Sequence, residues 1–455
     1  RPRGRKDACD LDRINAFLNR FLSHERKLRW MRLDNAAKIY PAAKRRKWNN
    51  FFRLSATLCD EVDKTVLRNA MDVTMRRFPS IAVRLCRGAF WYYLEELSSA
   101  PEITDEKSWP LAHTPFESIN ECALRVIVYK NRIAVEFYHA LTDGTGGMVF
   151  LKSLLAEYIE QKYGVEISNE CGVLDRLTQP QEEELEDSFS KNAGSVSVSR
   201  NASTAFKIHY TPERDDFRHL TTFILDSNAA LAAAKSCGVS LTVYLTSAML
   251  LALQRIQDEQ TPDKRRQKPI RVVVPVNLRR LFPSRTLRNF VHVIMPEIDP
   301  RMGDYEFSEI LTSVKHQLGL LVTKKNLCAM FTPNVNAERS PLLRVMPLFL
   351  KNIAMKLVYD TVGERTNCLN LSNLGDIKVP DAMRRYVTRF DFILGVQATK
   401  PNNCGVLSYN GKLYMNFIRN TVEPVLEFQF YQVLRELGLH VKVESNGAGN
   451  ISDSN

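Results

Sequence analysis

The sequence predicts a mixed α/β protein made of two halves of similar size on either side of one linker. Short β-branched stretches alternate with longer stretches of helical periodicity, and a segment rich in acidic, Ser, Asn and Gly residues interrupts this alternation once. No short-period repeat occurs, which excludes solenoids and propellers. We expect the halves at residues 1–165 and 213–455, and an exposed, mobile linker at residues 166–212.

The first half begins its regular structure with a strand and a helix. Phe51–Leu58 alternates as a strand does, and Asp63–Phe78 repeats apolar residues every three or four positions until Pro79 stops the helix. Met148–Tyr163 has the same helical spacing. Further strands are predicted at residues 81–94 (one or two strands), 124–129 and 133–138.

The second half shows the same alternation of strands and helices. Ser240 is the expected N-cap of its longest early helix, because a Ser hydroxyl can accept from the first free N–H groups. Strands are predicted at residues 223–225, 270–276, 291–298, 368–373, 390–398, 405–409 and 413–417. Helices are predicted at residues 228–235, 241–256, 305–320, 342–359 and 423–437, and a disordered tail at residues 445–455.

The charge of the chain favours anionic partners. Lys and Arg total 63 against 51 Asp and Glu, which gives a net charge of +12. Nucleic acid, acidic lipid or a phosphorylated cofactor would suit this charge, and an ordinary solvated basic surface is the alternative. Two local basic clusters occur, at Arg1, Arg3, Arg5 and Lys6 and at Lys44–Lys47. Neither is accompanied by a zinc finger, a helix-turn-helix or an RNA-binding aromatic motif, so nucleic acid is not expected.

Cysteine usage and hydropathy predict a cytoplasmic protein. The nine cysteines are scattered and contain no CxxC pair, which is typical of reduced intracellular proteins. The N-terminal residues lack the apolar core of a secretory signal. No apolar run reaches the roughly 18 residues that span a bilayer. The nearest, residues 341–358, is interrupted by Arg344, Lys351 and Lys356.

One stretch, residues 134–147, carries the strongest chemical signal. A hydrophobic strand leads into His139, and Asp143, Gly144, Gly146 and Gly147 follow in a turn before a helix. A P-loop would need Gly-Lys-Ser/Thr, and a dinucleotide fingerprint would need a third glycine where the chain has Val, so both fail. A metal site is not expected either, because the other histidines considered have no partner at ligand spacing. These are His113, His209 and His292.

The segment His139-x-x-x-Asp143-Gly144 resembles the HxxxDG motif of acyltransferases with a chloramphenicol-acetyltransferase-like fold, the superfamily that includes condensation domains. Three further segments are similar to this superfamily in the expected order: residues 274–280, a strand that ends in an Arg, residues 287–290, an Asn-Phe turn into the next strand, and residues 371–375, a Ser-Asn loop. The combination is most similar to bacterial alcohol-acetyltransferase-like proteins, and the resemblance covers about residues 25–435. It implies two lobes, each a two-layer α+β sandwich, in a pseudo-dimeric arrangement with the active site at their interface.

The resemblance also implies a role for each motif residue. His139 would be the general base, since an imidazole titrates near working pH. Asp143 could be a triad partner of His139, but in the superfamily this Asp points away and pairs with an Arg, which Arg279 matches, so we expect a structural ion pair. Gly144 would keep the turn free of a side chain. Ser372 or Asn373, or backbone N–H groups, would stabilise the oxyanion, although an ordinary strand-end turn explains Ser372 and Asn373 equally well.

The chain departs from the superfamily pattern at two places. Many members carry two adjacent histidines, whereas Tyr138 precedes His139 here; His139 still matches the second, proton-transferring position. The DFGWG motif of plant acyltransferases is absent, and Arg389-Phe390-Asp391-Phe392 resembles it only weakly. The resemblance to the plant subfamily is therefore weak.

The expected reaction is the transfer of an acyl group, acetyl by resemblance, from a CoA thioester to an alcohol. No GxSxG nucleophile is visible, which favours direct attack in a ternary complex, with acyl-CoA as co-substrate and no permanently bound cofactor. The expected partners are a small-molecule alcohol or lipid-like acceptor, acyl-CoA or an acyl carrier protein, and a peripheral membrane contact. A condensation-type enzyme acting on carrier-bound substrates and a non-catalytic binding protein are the competing hypotheses.

Overall fold

A computed structural model describes residues 28–42, 50–198, 203–214, 216–397 and 400–447. These ranges contain sixteen β-strands and fourteen α-helices. The strands are β1 (Trp30–Arg32), β2 (Phe51–Leu58), β3 (Val83–Arg87), β4 (Tyr92–Glu96), β5 (Ile103–Asp105), β6 (Leu124–Tyr129), β7 (Arg132–Tyr138), β8 (His219–Asp226), β9 (Ile270–Asn277), β10 (Val291–Ile294), β11 (Glu297–Ile298), β12 (Leu369–Asp376), β13 (Val387–Ile393), β14 (Asn402–Tyr409), β15 (Lys412–Arg419) and β16 (Lys442–Ser445).

The helices alternate with these strands along the chain. They are α1 (Ile39–Ala42), α2 (Lys64–Arg77), α3 (Phe116–Ile119), α4 (Gly144–Tyr163), α5 (Glu182–Leu185), α6 (Ser188–Asn192), α7 (Ser227–Ser236), α8 (Leu241–Gln260), α9 (Phe307–Leu321), α10 (Lys324–Arg339), α11 (Pro341–Val345), α12 (Leu348–Val358), α13 (Asp381–Arg384) and α14 (Val425–Glu436). The basic clusters at residues 1–6 and 44–47, and residues 448–455 of the expected tail, lie outside the described residues. The predicted start of that tail is wrong, because Ser445 pairs with Thr221 as the last residue of β16.

The first lobe is a five-stranded sheet covered by helices. The strand order is β13, β2, β7, β6, β5, and only the β5–β6 pair is parallel. Helices α2 and α4 pack against each other, and α4 lies on β2. Helix α2 begins where Asp63 accepts from the N–H groups of Thr65 and Val66, an N-cap that satisfies two free donors.

The second lobe is a larger mixed sheet. Its order is β10, β9, β12, β14, β15, β8, β16, with β11 pairing with the other end of β9. Strands β9, β12 and β14 run parallel, and the remaining pairs are antiparallel. Helix α8 is the central helix of this lobe and packs against α7, α9, α14 and strand β9. The predicted mixed α/β fold is confirmed.

The two lobes are interlocked by a strand that leaves the second and joins the first. Strand β13 pairs with β2, whereas its chain neighbours β12 and β14 belong to the second sheet. A Cβ at Gly405 on β14 would lie 2.2 Å from the carbonyl oxygen of Phe392 on β13. The glycine thus permits the two sheets to approach at this point.

Prolines divide two elements that the sequence predicted as continuous. The single helix expected over residues 342–359 is divided into α11 and α12 at Pro347, whose ring cannot continue the hydrogen-bond ladder. The strand expected over residues 291–298 is divided into β10 and β11 around Pro296. Helix α10 was not predicted, and it contains Pro333.

The segment predicted as an exposed linker is anchored to the first lobe. Glu184 is buried, and its carboxylate accepts from Arg77 Nη1 and Nη2 at 2.5 and 2.6 Å. The carbonyl oxygen of Glu184 accepts from the N–H of Leu287, which reaches into the second lobe. At least this part of the segment is therefore in contact with both lobes.

Within the described parts of the chain, no single helix combines the length and apolar composition of a membrane span. Helices α7 and α8 satisfy the same criteria only when taken together, and they are bent by 84° relative to each other.

Candidate active site

A cavity of about 680 Å³ lies between the two sheets. Its first wall comes from the start of β2 and the end of β7, and its second wall from β9, β10 and β12. Five of the six predicted site residues line it; the sixth, Arg279, lies behind it. The lining residues are therefore drawn from both lobes, as expected of a site at their interface.

His139 is fixed at the end of a strand. It directly follows β7, and its backbone N–H donates to the carbonyl oxygen of Asn50 at 2.8 Å. The imidazole stacks on the ring of Tyr40 with centroids 4.7 Å apart and meets the ring of Phe52 edge-on at 5.1 Å. The half-buried imidazole is thus oriented by packing on two sides.

Asn289 determines which nitrogen of His139 carries the proton. Asn289 Nδ2 donates to the carbonyl oxygen of His139 at 3.0 Å and to Asp34 Oδ2 at 3.2 Å. Its Oδ1 therefore faces His139 Nδ1, 3.2 Å away, and can only accept. Nδ1 then bears the hydrogen, and Nε2, which bonds no described residue, keeps a lone pair for an incoming proton.

Burial shifts the pKa values of His139 and Asp34. The pKa of His139 is lowered, chiefly because burial disfavours the imidazolium, while Asp143 and Asn289 oppose the shift. Burial also raises the pKa of Asp34 to about 6, against the opposing charge of Arg288. At neutral pH, His139 is consequently an uncharged imidazole that can act as a base.

Asp143 is turned away from His139. Its Oδ1 accepts from the N–H groups of Thr145 and Gly146 at 3.0 and 3.1 Å and so caps α4. Its Oδ2 accepts from Arg279 Nη1 and from the N–H of Phe290, both at 2.8 Å. Both carboxylate oxygens are therefore occupied by groups other than the imidazole.

Arg279 ties the strand-turn segment of the second lobe to the motif. Besides Asp143, its guanidinium donates to the carbonyl oxygens of Thr286 (2.9 Å) and Arg288. These carbonyls lie just before Asn289 in the chain. The Asp143–Arg279 ion pair thus holds the residue that orients His139.

The glycines of the motif differ in how closely they are packed. A Cβ at Gly144 would lie 2.8 Å from Leu374 Cδ2, the end of a flexible side chain. A Cβ at Gly146 would lie 2.1 Å from the carbonyl oxygen of Leu287 and 2.3 Å from Thr142 Oγ1. The sequence predicted Gly144 as the position that must lack a side chain. The structure shows that the backbone leaves no room for a side chain at Gly146 instead.

Ser372 and Asn373 lie on β12 at the opposite wall of the cavity. Asn373 is held at both ends of its amide, donating to Thr242 Oγ1 at 3.2 Å and accepting from the N–H of Gly375 at 2.8 Å. Gly375 has φ +79°, the left-handed conformation that favours glycine, so Asn373 stabilises an irregular strand end. The hydroxyl of Ser372 bonds no other described residue and remains available to a ligand.

Comparison with solved structures identifies the fold. The first condensation domain of the calcium-dependent antibiotic synthetase is 12% identical, with a TM-score of 0.59 over 90% of this chain and 96% of that one. A trichothecene 15-O-acetyltransferase from Fusarium sporotrichioides is 12% identical, with a TM-score of 0.52 over 90% and 94%. Polyketide synthase associated protein 5 from Mycobacterium tuberculosis is 12% identical, with a TM-score of 0.54 over 89% and 95%.

The chain has the same fold as these condensation-domain and acetyltransferase structures. The predicted resemblance is thereby confirmed at the level of the fold. No protein-family model matches the sequence, and no match was found among curated proteins. The similarity is therefore one of fold, with low overall sequence identity.

The superfamily motifs predicted some residues of the site, but they did not predict the contacts that Asn289, Asp34 and Tyr40 make there. Asn289 lies in the segment that the resemblance singled out, but nothing in the sequence indicated that it bonds His139. Asp34 and Tyr40 had no sequence signal, because they precede the motif by about 100 residues and meet it only in the folded chain. Side chains brought together over such separations are set by tertiary packing.

Proposed function

We propose that the protein is an acyltransferase that moves an acyl group from a CoA thioester to an alcohol, with His139 as general base. One observation supports this most strongly: an uncharged imidazole with Nδ1 bonded to Asn289 lines a cavity formed by both lobes. Such a cavity can hold two substrates at one base while excluding bulk water.

The reaction balances without a covalent enzyme intermediate. His139 Nε2 takes the hydroxyl proton as the alcohol oxygen attacks the thioester carbonyl carbon. The tetrahedral intermediate then collapses, the C–S bond breaks, and the imidazolium returns the proton to the departing thiolate. The products are an ester and free CoA.

Ser372 is the better candidate for oxyanion stabilisation on β12. Its hydroxyl is free, whereas the Asn373 amide is engaged by Thr242 and Gly375. Gly144, the first residue of α4 and so at the positive end of that helix, lines the same cavity and is a second candidate through its backbone N–H. A donor of this kind typically contributes about 10²–10³ in rate, because it strengthens as the charge develops.

Arg280 is a suitable contact for the phosphates of CoA. It is exposed at the edge of the cavity and forms no ion pair with another described residue. One related structure, the starter condensation domain of rhizomide synthetase, is described in complex with C8-CoA. An arginine at this position would meet an anionic donor before it reaches His139.

The cavity favours an apolar substrate group. Aliphatic side chains are the largest group in its lining beyond the motif residues, which suits a lipid-like acceptor or an extended acyl chain. These residues include Val274, Val276, Val291, Met295, Leu318, Val322 and Leu394.

A condensation-type reaction on carrier-bound substrates is the second candidate. Condensation domains are among the solved structures with this fold and cover about 90% of the chain. The same base and cavity would serve a phosphopantetheine thioester, whose thiol arm has the chemistry of that of CoA. A non-catalytic binding protein with the same fold is the third candidate function.

The three functions are separated by assaying thiol release. Purified protein is mixed with acetyl-CoA or octanoyl-CoA, or with the same acyl groups on a carrier protein, and with a panel of alcohols and amines. Release of free CoA that depends on an alcohol supports the proposal, and a product only from carrier-bound substrate favours the second function. Binding of acyl-CoA without turnover under any combination indicates the third.

The CoA site has its own test. Arg280→Glu should raise the KM for acyl-CoA with little effect on kcat, because it removes a contact made equally in ground and transition states. Arg435→Glu, an exposed arginine on α14 away from the cavity, is the matched control. Equal effects of the two substitutions would contradict the assignment of Arg280.

A further inference from the structure

Helix α12 is oriented opposite to an ordinary amphipathic helix. A surface helix normally buries its apolar stripe and exposes its charges. Here Phe349, Ile353 and Leu357 are 56%, 65% and 65% exposed, while Lys351 on the inner face is 3% exposed. The outward residues are four positions apart and therefore share one face.

The inner face of α12 is held by polar contacts, so this orientation is specific. Lys351 Nζ donates to the carbonyl oxygen of Phe90 at 2.9 Å and lies 3.7 Å from the ring centroid of Trp91. Asn352 Nδ2 donates to the hydroxyl of Tyr92 at 3.2 Å. The N–H of Leu348 donates to the carbonyl oxygen of Ala89 at 3.0 Å. These bonds hold the apolar face outward.

The apolar surface extends beyond α12. Leu342 and Val345 of α11 are 71% and 68% exposed, and Val358 at the end of α12 is 57% exposed. We call Leu342, Val345, Phe349, Ile353, Leu357 and Val358 the α11–α12 apolar face. Isolated exposed apolar residues are common, but a run of six on consecutive helical segments marks an interaction surface.

The charges on this segment are of one sign. From Arg339 to Tyr359 the chain has four basic residues and no Asp or Glu. Arg344 is exposed and forms no ion pair with another described residue, and Lys356 is exposed beside Asp360 at 3.4 Å. Apolar side chains beside an exposed cation such as Arg344 are the pattern of helices that lie in an anionic lipid surface.

We propose that the α11–α12 apolar face docks the protein on an anionic membrane surface. Arg344 would contact lipid headgroups while Phe349, Ile353 and Leu357 enter the acyl boundary. A second copy of the chain is the less suitable occupant, because a two-fold interface would place Arg344 against the same positive segment of the partner. An anionic bilayer complements this charge.

The docked face would lie next to the cavity wall. Tyr359 directly follows Val358 in the chain and lines the cavity that contains His139. A lipid-like acceptor could pass from the bilayer into the aliphatic cavity along this helix. This last step rests on the proposed function, whereas docking itself does not.

Vesicle co-sedimentation tests the docking. The wild-type protein is mixed with phosphatidylcholine vesicles that contain about 30% phosphatidylserine, and with pure phosphatidylcholine vesicles. The double variant Phe349→Ser/Ile353→Ser should reduce binding to the anionic vesicles at least about tenfold, since two buried apolar side chains are lost. Phe428→Ser on α14, where the side chain is 57% exposed, is the matched control and should bind as the wild type does.

Charge and self-association complete the test. Arg344→Glu should weaken binding to anionic vesicles about fivefold or more, with a smaller effect on neutral vesicles. Failure of the wild type to sediment with either vesicle, or equal loss with Phe428→Ser, would overturn the proposal. A concentration-dependent dimer that the double variant dissociates would also overturn it, by assigning the face to a second copy. Acyl transfer to a water-soluble alcohol, measured without vesicles, is independent of these outcomes.

Discussion

At the scale of single residues, the proposed base His139 is oriented by Asn289 and Asp34. Asp34 accepts from Asn289, Asn289 accepts from His139 Nδ1, and the lone pair is left at Nε2. The carboxylate and the amide lie on either side of the motif in the sequence, and the imidazole lies between them. The activity of His139 should therefore depend on Asn289 as a positioning residue.

Replacing Asn289 tests this dependence. In Asn289→Ala, the imidazole can adopt either tautomer and rotate, so kcat should fall at least about tenfold while the KM for acyl-CoA changes little. The ¹⁵N chemical shifts of His139 should show a mixture of tautomers in the variant and a single Nδ1–H form in the wild type. A single unchanged tautomer with unchanged kcat would contradict the role of Asn289.

The pH profile reports the pKa of the base. In the proposed reaction His139 acts in its neutral form, and burial lowers its pKa below the usual 6.5. Activity should therefore be retained below pH 6.5 and be lost only as pH falls through this lowered pKa. The pH dependence of kcat/KM measures it in the free enzyme. An acidic limb with its midpoint at or above 6.5 would contradict the buried, uncharged imidazole.

At the scale of elements, the sequence predicted the strands and helices whose alternation, periodicity or capping is visible within a few neighbouring residues. Phe51–Leu58 was predicted with its observed bounds, and the helix after Asp63 was found within one residue, because alternation, periodicity and capping are local properties. Strand β16 was missed, because its extended conformation comes from pairing with β8 more than 200 residues away and its side chains are mostly exposed. The orientation of α12 was not predictable either, since it depends on contacts with residues 89–92.

The close approach of α4 to the second lobe can be tested by a pair of glycine substitutions. Gly146→Ala places a Cβ against the Leu287 carbonyl oxygen and should lower the free energy of unfolding by at least about 2 kcal/mol. Gly319→Ala in α9 meets no atom within 4 Å and should raise it by about 0.5–1 kcal/mol, the helix preference for Ala. Denaturant titrations of both variants measure the difference, and a stable Gly146→Ala protein would exclude the tight packing.

The Asp143–Arg279 ion pair is proposed to be structural. The side chains are 3% and 12% exposed, so Asp143→Ala leaves a largely desolvated guanidinium unpaired and should cost about 3–5 kcal/mol of stability. Loss of activity should then follow the loss of folded protein in thermal and chemical unfolding. A variant of wild-type stability whose kcat falls a thousandfold or so would instead place Asp143 in the chemistry.

At the scale of the whole molecule, the two lobes form one functional unit. Strand β13 inserts into the first sheet, Leu287 binds the segment at Glu184, and Asn289 reaches from the second lobe to the first. Each of these contacts positions the cavity walls relative to His139. The alternation of strands and helices on either side of one linker predicted two halves. Their interlocking comes from long-range strand pairing that no local pattern specifies.

The most direct test of the account is the rate of alcohol-dependent CoA release by His139→Ala. The control is His113→Ala, which removes an exposed histidine away from the cavity. With folding verified for both, the account predicts that kcat falls about 10²–10⁴-fold in His139→Ala and is unchanged in His113→Ala. A folded His139→Ala protein that releases CoA at the wild-type rate would contradict it.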